Sequence, residues 1–174
     1  MKNILPEQFV MRPVSDIRDR WFLLTAGNFA EGRYNTMTVS WLTMGVMWAK
    51  PVAQVFARPQ RYTREFLDAY PDFTLSLFPE KYRPALQLLG TKSGRDCDKI
   101  AESGLTPTAS TVVAAPSFAE AELVIEMKKL FAQKLDPASF VETGIIPSLY
   151  PNRDFHTFYF GEMLAIRGTG AWCS

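Results

Sequence analysis

Asn35-Thr36-Met37-Thr38-Val39-Ser40-Trp41 opens the most informative stretch of this chain. An apolar run to Trp48 follows, then Lys50-Pro51, a short apolar segment, and Arg58-Pro59-Gln60-Arg61-Tyr62-Thr63. β-Branched and aromatic residues with partial alternation predict a strand over Met37 to Met44, and Val52 to Ala57 reads as another. Proline removes a ladder donor, so Pro51 and Pro59 mark the limits of that second strand. Both strands end in hydroxyls, arginines and aromatics, which suit a ligand with a flat apolar body and an anionic tail. A hairpin whose polar ends face water accounts for the same residues without any ligand, because Ser, Thr and Arg are mostly exposed.

Upstream, the apolar run Trp21 to Ala26, closed by Gly27-Asn28, predicts a buried strand and a turn. Downstream, Thr63 reads as the N-cap of a helix carrying Arg64, Glu65, Phe66, Leu67 and Ala69, with Pro71 beyond it. Phe73 to Phe78 alternates as a strand. Tyr82 to Leu89 reads as a helix ended by Gly90, and polar Ser93 to Lys99 passes into a short helix capped by Gly104. Asp136-Pro137 opens another short helix, with Asp as cap and Pro at the first helical position, and Gly144 closes it. His156 to Ile166 is an aromatic-rich strand, and Gly168-Thr169-Gly170 is a tail.

Ala119 to Leu135 sets two signals against each other. Its Ala, Glu, Leu and Lys content favours a helix. Yet Ala121, Leu123, Ile125 and Met127 alternate with Glu120, Glu122, Glu126 and Lys128, the period of a strand, and only Val124 breaks the pattern.

With 174 residues the chain is expected to form one domain with a sizeable core. A formal net charge of +1 without any basic block offers no phosphate-neutralising surface, so nucleic acid is not an expected partner. The first twenty residues are too charged for a signal peptide, and no apolar stretch is long enough to span a bilayer, so a soluble cytoplasmic protein is expected. Cys97 and Cys173 are the only cysteines, which excludes a multi-disulfide scaffold and offers no cysteine-based metal site. Six or so short strands among short helices, without regular βαβ alternation, argue for a mainly β fold. An antiparallel barrel with helical insertions fits better than a Rossmann sheet. Neither G-x-G-x-x-G nor a Walker P-loop occurs.

The pattern N-x-M-T-x-S-W, with R-P-x-R-Y-T about twenty residues on, resembles the flavin reductase-like proteins, with flavoredoxin and its relatives nearest. Ser93-Gly94-Arg95-Asp96-Cys97-Asp98-Lys99 and His156-Thr157-Phe158-Tyr159-Phe160-Gly161-Glu162 agree with it, in the same order. The resemblance runs from about Val14 to about Ile166. It implies an FMN-binding split β-barrel of antiparallel Greek-key type, a long strand over Ala121 to Phe131, and a homodimer with the flavin near its interface. The activity implied is flavin reduction or electron transfer through FMN, with NAD(P)H as hydride donor. A flavin-binding or carrier protein without a nicotinamide site is the alternative.

The resemblance also assigns candidate residues. Arg58, Arg61, Tyr62 and Thr63 combine charge and hydroxyls at a strand-to-helix junction suited to the FMN phosphate. Ser93 and Lys99 fit the same task, beside the other reading of a solvated turn with an ordinary N-cap. Asn35, Met37, Thr38, Ser40 and Trp41 match the ring-side segment. In a strand, Thr38 and Ser40 face one way and Met37, Val39 and Trp41 the other, so part of this set must be core. His156, the only histidine, occupies the position where two-component reductases carry Gly-Asp-His and receive the nicotinamide. Here Asp154-Phe155 precede it, the Gly-Asp half is missing, and a structural role for the imidazole stands level with a catalytic one.

Overall fold

The computed structural model describes residues 1–174. In chain order the elements are β1 (Lys2–Ile4), α1 (Pro13–Ser15), β2 (Phe22–Asn28), β3 (Arg33–Val39), β4 (Leu42–Met47), β5 (Lys50–Ala57), α2 (Thr63–Ala69) and β6 (Asp72–Leu77). They continue with α3 (Arg83–Thr91), α4 (Lys99–Ser103), β7 (Pro107–Thr108), β8 (Ser117–Phe118), β9 (Leu123–Lys134), α5 (Ile145–Leu149) and β10 (Thr157–Gly168). Eight strands form one antiparallel sheet in the order β3-β2-β6-β9-β10-β5-β4, with β1 added against β10. β7 and β8 form a separate ribbon. No helix is long and apolar enough to cross a membrane.

The two edges of the sheet, β3 and β4, are consecutive in sequence and do not pair. Met37 to Met44 is therefore not one strand: it breaks at Ser40-Trp41, and the sheet curls round until that break becomes its open seam. One core cluster fills the interior with residues from every strand around the curl, among them Leu24, Met37, Leu42, Val55, Phe73, Ile125 and Tyr159. The result is a split barrel with helical insertions. At Gly161, an added Cβ would lie 2.6 Å from Phe73 Cζ, so only glycine lets that ring fill the middle of the barrel.

β9 is a strand of twelve residues, in agreement with the alternation rather than the composition. Its supposed polar face is nevertheless buried near its start. Val124 belongs to a second cluster with Leu23, Phe78, Leu86, Leu89 and Phe118, packed outside the barrel. Glu126 is fully buried and bonded to Arg167 and to the Thr111 and Val112 amides. A strand covered on both faces reads as continuous burial, which is why Val124 breaks the alternation.

Three helix limits differ from the sequence reading. Tyr62, not Thr63, is the N-cap of α2, and no side chain caps it; Thr63 is buried as the first helical residue. α3 runs through Gly90 to Thr91, because Gly90 is there for close packing: a Cβ on it would meet Thr38 Cβ at 3.1 Å. Asp136 does cap a short 3-10 turn, Pro137–Ser139, by accepting from the Ala138 amide. Gly144, however, precedes α5 instead of closing that turn. The tail at Gly168 closes on the body, with Trp172 buried. Gly104, at φ 71°, ends α4 as expected.

Candidate functional site

The seam is where the side chains converge. A cleft of about 220 Å³ is lined by Met37, Thr38, Val39, Ser40, Trp41, Phe56, Arg58, Arg61 and His156. Seven of these were singled out in the sequence; Val39 and Phe56 are additions, both hidden there as ordinary strand residues. A larger cavity, about 670 Å³, lies elsewhere, between the N-terminal segment and the β4–β5 hairpin. It holds none of the candidates and little polar chemistry, so the smaller cleft is the site of interest.

Local structure explains the convergence. Met37 and Val39 point into the core at the barrel's open edge and wall the cleft from below. Thr38 faces the other way and donates to the Leu86 carbonyl of α3. Trp41, freed from the strand by the break, lies 4.8 Å from the His156 ring, centroid to centroid. Arg58 leaves the end of β5 and pairs with Asp154, while its other arm donates to the Leu149 carbonyl at 2.8 Å. Hydrogen bonds from Gln60 and Arg58 hold the Asp154 carboxyl below its usual range. In the sequence Asp154 stands out only as a departure from the Gly-Asp-His motif. Its ion pair joins residues 96 positions apart, and no local pattern announces that.

Arg61 behaves differently. Its Nη1 donates to the Gly90 carbonyl at 2.7 Å, and no carboxylate pairs with it. Burial pulls its pKa down. Lys99 Nζ, more deeply buried and also without an acidic partner, donates to the Leu89 and Lys92 carbonyls at 2.9 and 3.1 Å. Burial, then the charge of Arg61, push the Lys99 ammonium down to about 8. Both cations thus sit at the C-terminal end of α3. A helix end offers roughly half an elementary charge, against two full positive charges. The helix accounts for their placement but leaves most of their charge uncompensated.

The other candidates fall around this pair. Asn35 and Thr63 are buried and bonded to each other, Nδ2 to Oγ1 at 2.8 Å, so the ring-side and phosphate-side segments are tied together. Asn35, Tyr62 and Lys99 line a neighbouring cavity of about 490 Å³ with Arg33, Arg95 and Cys97. Ser93 lines neither cavity; its hydroxyl accepts from the Arg95 amide at 3.2 Å, as in an ordinary turn.

His156 is 7% exposed, just before β10. Its Nδ1 lies 2.8 Å from the Tyr150 hydroxyl. Burial first, and then Arg58, push the imidazole down to about 4. The unfolded chain therefore binds a proton near pH 6.5 that the folded chain refuses until about 4. Stability from this group is complete above pH 6.5 and is lost as pH falls towards 4. It amounts to at most about 3 kcal/mol for a shift of this size. Urea midpoints of wild type and His156→Gln between pH 4 and 7 should converge at the acid end; parallel profiles would count against it.

The family model described as flavin reductase like domain matches residues 16–167. The chain belongs to the flavin reductase-like family. No curated protein matches it. Among solved structures, flavoredoxin of Desulfovibrio vulgaris (Miyazaki F) is similar at 23% identity and TM-score 0.67, over 98% of this chain and 78% of that one. An FMN-binding protein from Thermus thermophilus is 22% identical, TM-score 0.64, over 85% and 69% of the two chains. The NADH:FAD oxidoreductase of Streptomyces globisporus is 16% identical, TM-score 0.64, over 87% and 76%. At these identities the likenesses establish the shared split-barrel fold of flavin reductase-like proteins, which the seam and its cleft already show.

Proposed function

We propose that this flavin reductase-like protein binds FMN at the seam and acts as a flavin reductase or electron-transfer oxidoreductase, taking hydride from NAD(P)H. The observation that carries this reading is the pair Arg61 and Lys99, the first half-buried and the second buried, with no carboxylate partner beside an apolar, aromatic-walled cleft. Buried charge is stable only when paired. A phosphate monoester supplies the missing charge, and Met37, Val39, Phe56 and Trp41 supply a wall for a flat ring. The residues therefore fit the cofactor.

Bound FMN would supply the hydride and electron chemistry. Arg61 and Lys99 would hold the phosphate, with Thr63 and Asn35 fixing the junction behind them. Arg58, already neutralised by Asp154, would serve mainly to lock the Leu149–Asp154 segment over the cleft. His156, held neutral, would offer a hydrogen bond without adding charge. No side chain here need act as nucleophile or general acid.

The second reading, a carrier without a nicotinamide site, rests on Asp154-Phe155 standing before His156. Two measurements decide. The visible spectrum of purified protein should show bound flavin; a colourless protein that takes up no FMN would refute both readings. Oxidation of NADH or NADPH with added flavin should be faster than without protein; its absence with flavin bound would leave the carrier.

The proposal extends to assembly. Trp48 in the β4–β5 turn and Phe131, Phe160, Phe158 and Phe56 on the outer face of β5, β9 and β10 form a continuous aromatic stripe, ending at His156 and Trp41. Trp48 is 52% exposed at the tip of a two-residue hairpin, where it and Ala49 adopt positive φ of 54° and 57°. Non-glycine residues there store strain. A second copy covering the stripe would bury this surface and close the cleft. Light scattering should give a dimer mass at micromolar concentration for wild type and a monomer mass for Trp48→Glu. A monomeric wild type with flavin bound would exclude the dimer.

A further inference from the structure

Tyr150 lies in α5's trailing end, outside every motif of the sequence, and is 2% exposed. Its ring stacks on Phe155 with centroids 4.9 Å apart and meets Phe140 edge-on at 5.9 Å. The Arg58 guanidinium lies 5.2 Å from the ring centre while donating to the preceding carbonyl, Leu149. The phenol is thus fixed on three sides. Its hydroxyl makes one hydrogen bond, to His156 Nδ1.

A buried phenol with a single partner must use it as an acceptor. If the imidazole donated from Nδ1 instead, the phenol proton would be left in an aromatic shell with nothing to receive it. Burial also raises the Tyr150 pKa, keeping the hydroxyl protonated. His156 Nε2, by contrast, has no protein partner, and the imidazole lines the cleft. Of the two nitrogens, the one tied to the protein accepts and the free one carries the proton.

We propose that Tyr150 is a positioning residue: its hydroxyl locks His156 in the Nε2–H tautomer and aims that N–H as a donor at an acceptor oxygen of the small molecule in the cleft. The inference deepens the flavin-site reading and rests on it for the identity of that molecule, but the tautomer itself does not. Trp41 packs against the imidazole and restrains the ring. Asp154 and Arg58 are the charged groups nearest, paired with each other. Neither bonds to the imidazole, so Tyr150 alone sets the tautomer.

Because His156 is the only histidine, protein labelled with [15N]histidine gives the spectrum of one imidazole. At neutral pH the wild type should show a single neutral tautomer protonated at Nε2. Tyr150→Phe, which keeps the ring stack, should lose that purity and move towards the mixture of free imidazole. In steady-state assays the same variant should raise the apparent KM for the nicotinamide donor several-fold, with kcat and FMN affinity preserved. A wild-type spectrum protonated at Nδ1, or an unchanged tautomer in Tyr150→Phe, overturns the proposal. So does a changed tautomer with unchanged KM. Should Tyr150→Phe fail to fold, the wild-type spectrum alone still decides the tautomer. A wild type that binds no flavin while showing the Nε2–H form would refute the flavin reading and leave the tautomer assignment standing.

Discussion

Arg61→Gln is expected to weaken FMN binding by about tenfold to a hundredfold, the range set by roughly 1.5–3 kcal/mol for a charge-assisted bond. Glutamine keeps a donor for the Gly90 carbonyl and removes only the charge, so the folded protein should lose little thermal stability. Arg58→Ala should cost less affinity than this, because the charge of Arg58 is answered by Asp154, whereas no carboxylate answers that of Arg61. Isothermal titration of the two variants with FMN tests the order directly; equal losses, or a larger one for Arg58, would show that Asp154 gives way to the phosphate. Lys99 adds a pH dependence with a definite sign. Its pKa of about 8 in the free protein means that the cation is lost as pH rises through that value. FMN affinity should therefore fall above pH 8 in wild type and fall less in Lys99→Met. A profile flat to pH 9 would remove Lys99 from the site.

The largest expected loss of stability belongs to a residue outside the cleft. Glu126→Ala leaves Arg167, at 19% side-chain exposure, without its only carboxylate, and it strips the Thr111 and Val112 amides of their acceptor. Breaking one side of a buried ion pair costs about 3–5 kcal/mol. For a chain of this size that is a fall in Tm of about 6–20 °C. Glu126→Gln should fall between wild type and Ala, since it keeps the shape and one acceptor but not the charge. Scanning calorimetry of the three proteins is the check. A loss under 1 kcal/mol in the Ala variant would mean that the 108–116 loop rearranges and rehydrates the guanidinium.

Both predictions depend on contacts that the sequence could not display. In sequence Glu126 stands simply as one of the polar residues alternating with Leu123, Ile125 and Met127. What buries it is the segment from Ser110 to Pro116, folded across the outside of β6 and β9 and tied by its backbone to Glu126 and Asp72. Arg58 and Arg61 looked equivalent in R-P-x-R-Y-T. They differ because a carboxylate from near the other end of the chain folds onto one and not the other.

Local sequence determined a good deal. Alternation placed β6, aromatic content marked β10, and the family resemblance decided between strand and helix for β9. Proline and glycine bounded several elements, and Asp136 and Gly104 made the caps their chemistry favours. The order of motifs was enough to specify the family and the split barrel. These features are set within a few residues of backbone, where steric preference and hydrogen bonding leave few choices. Tertiary structure alone decided the break at Ser40-Trp41, which becomes a seam only when β3 and β4 end up on opposite edges of one sheet. It alone brought α3's last carbonyls to Arg61 and Lys99, and Tyr150 to His156. Burial, charge compensation and tautomer depend on which distant atoms come within a few ångströms, and that distance is not written in the order of the residues.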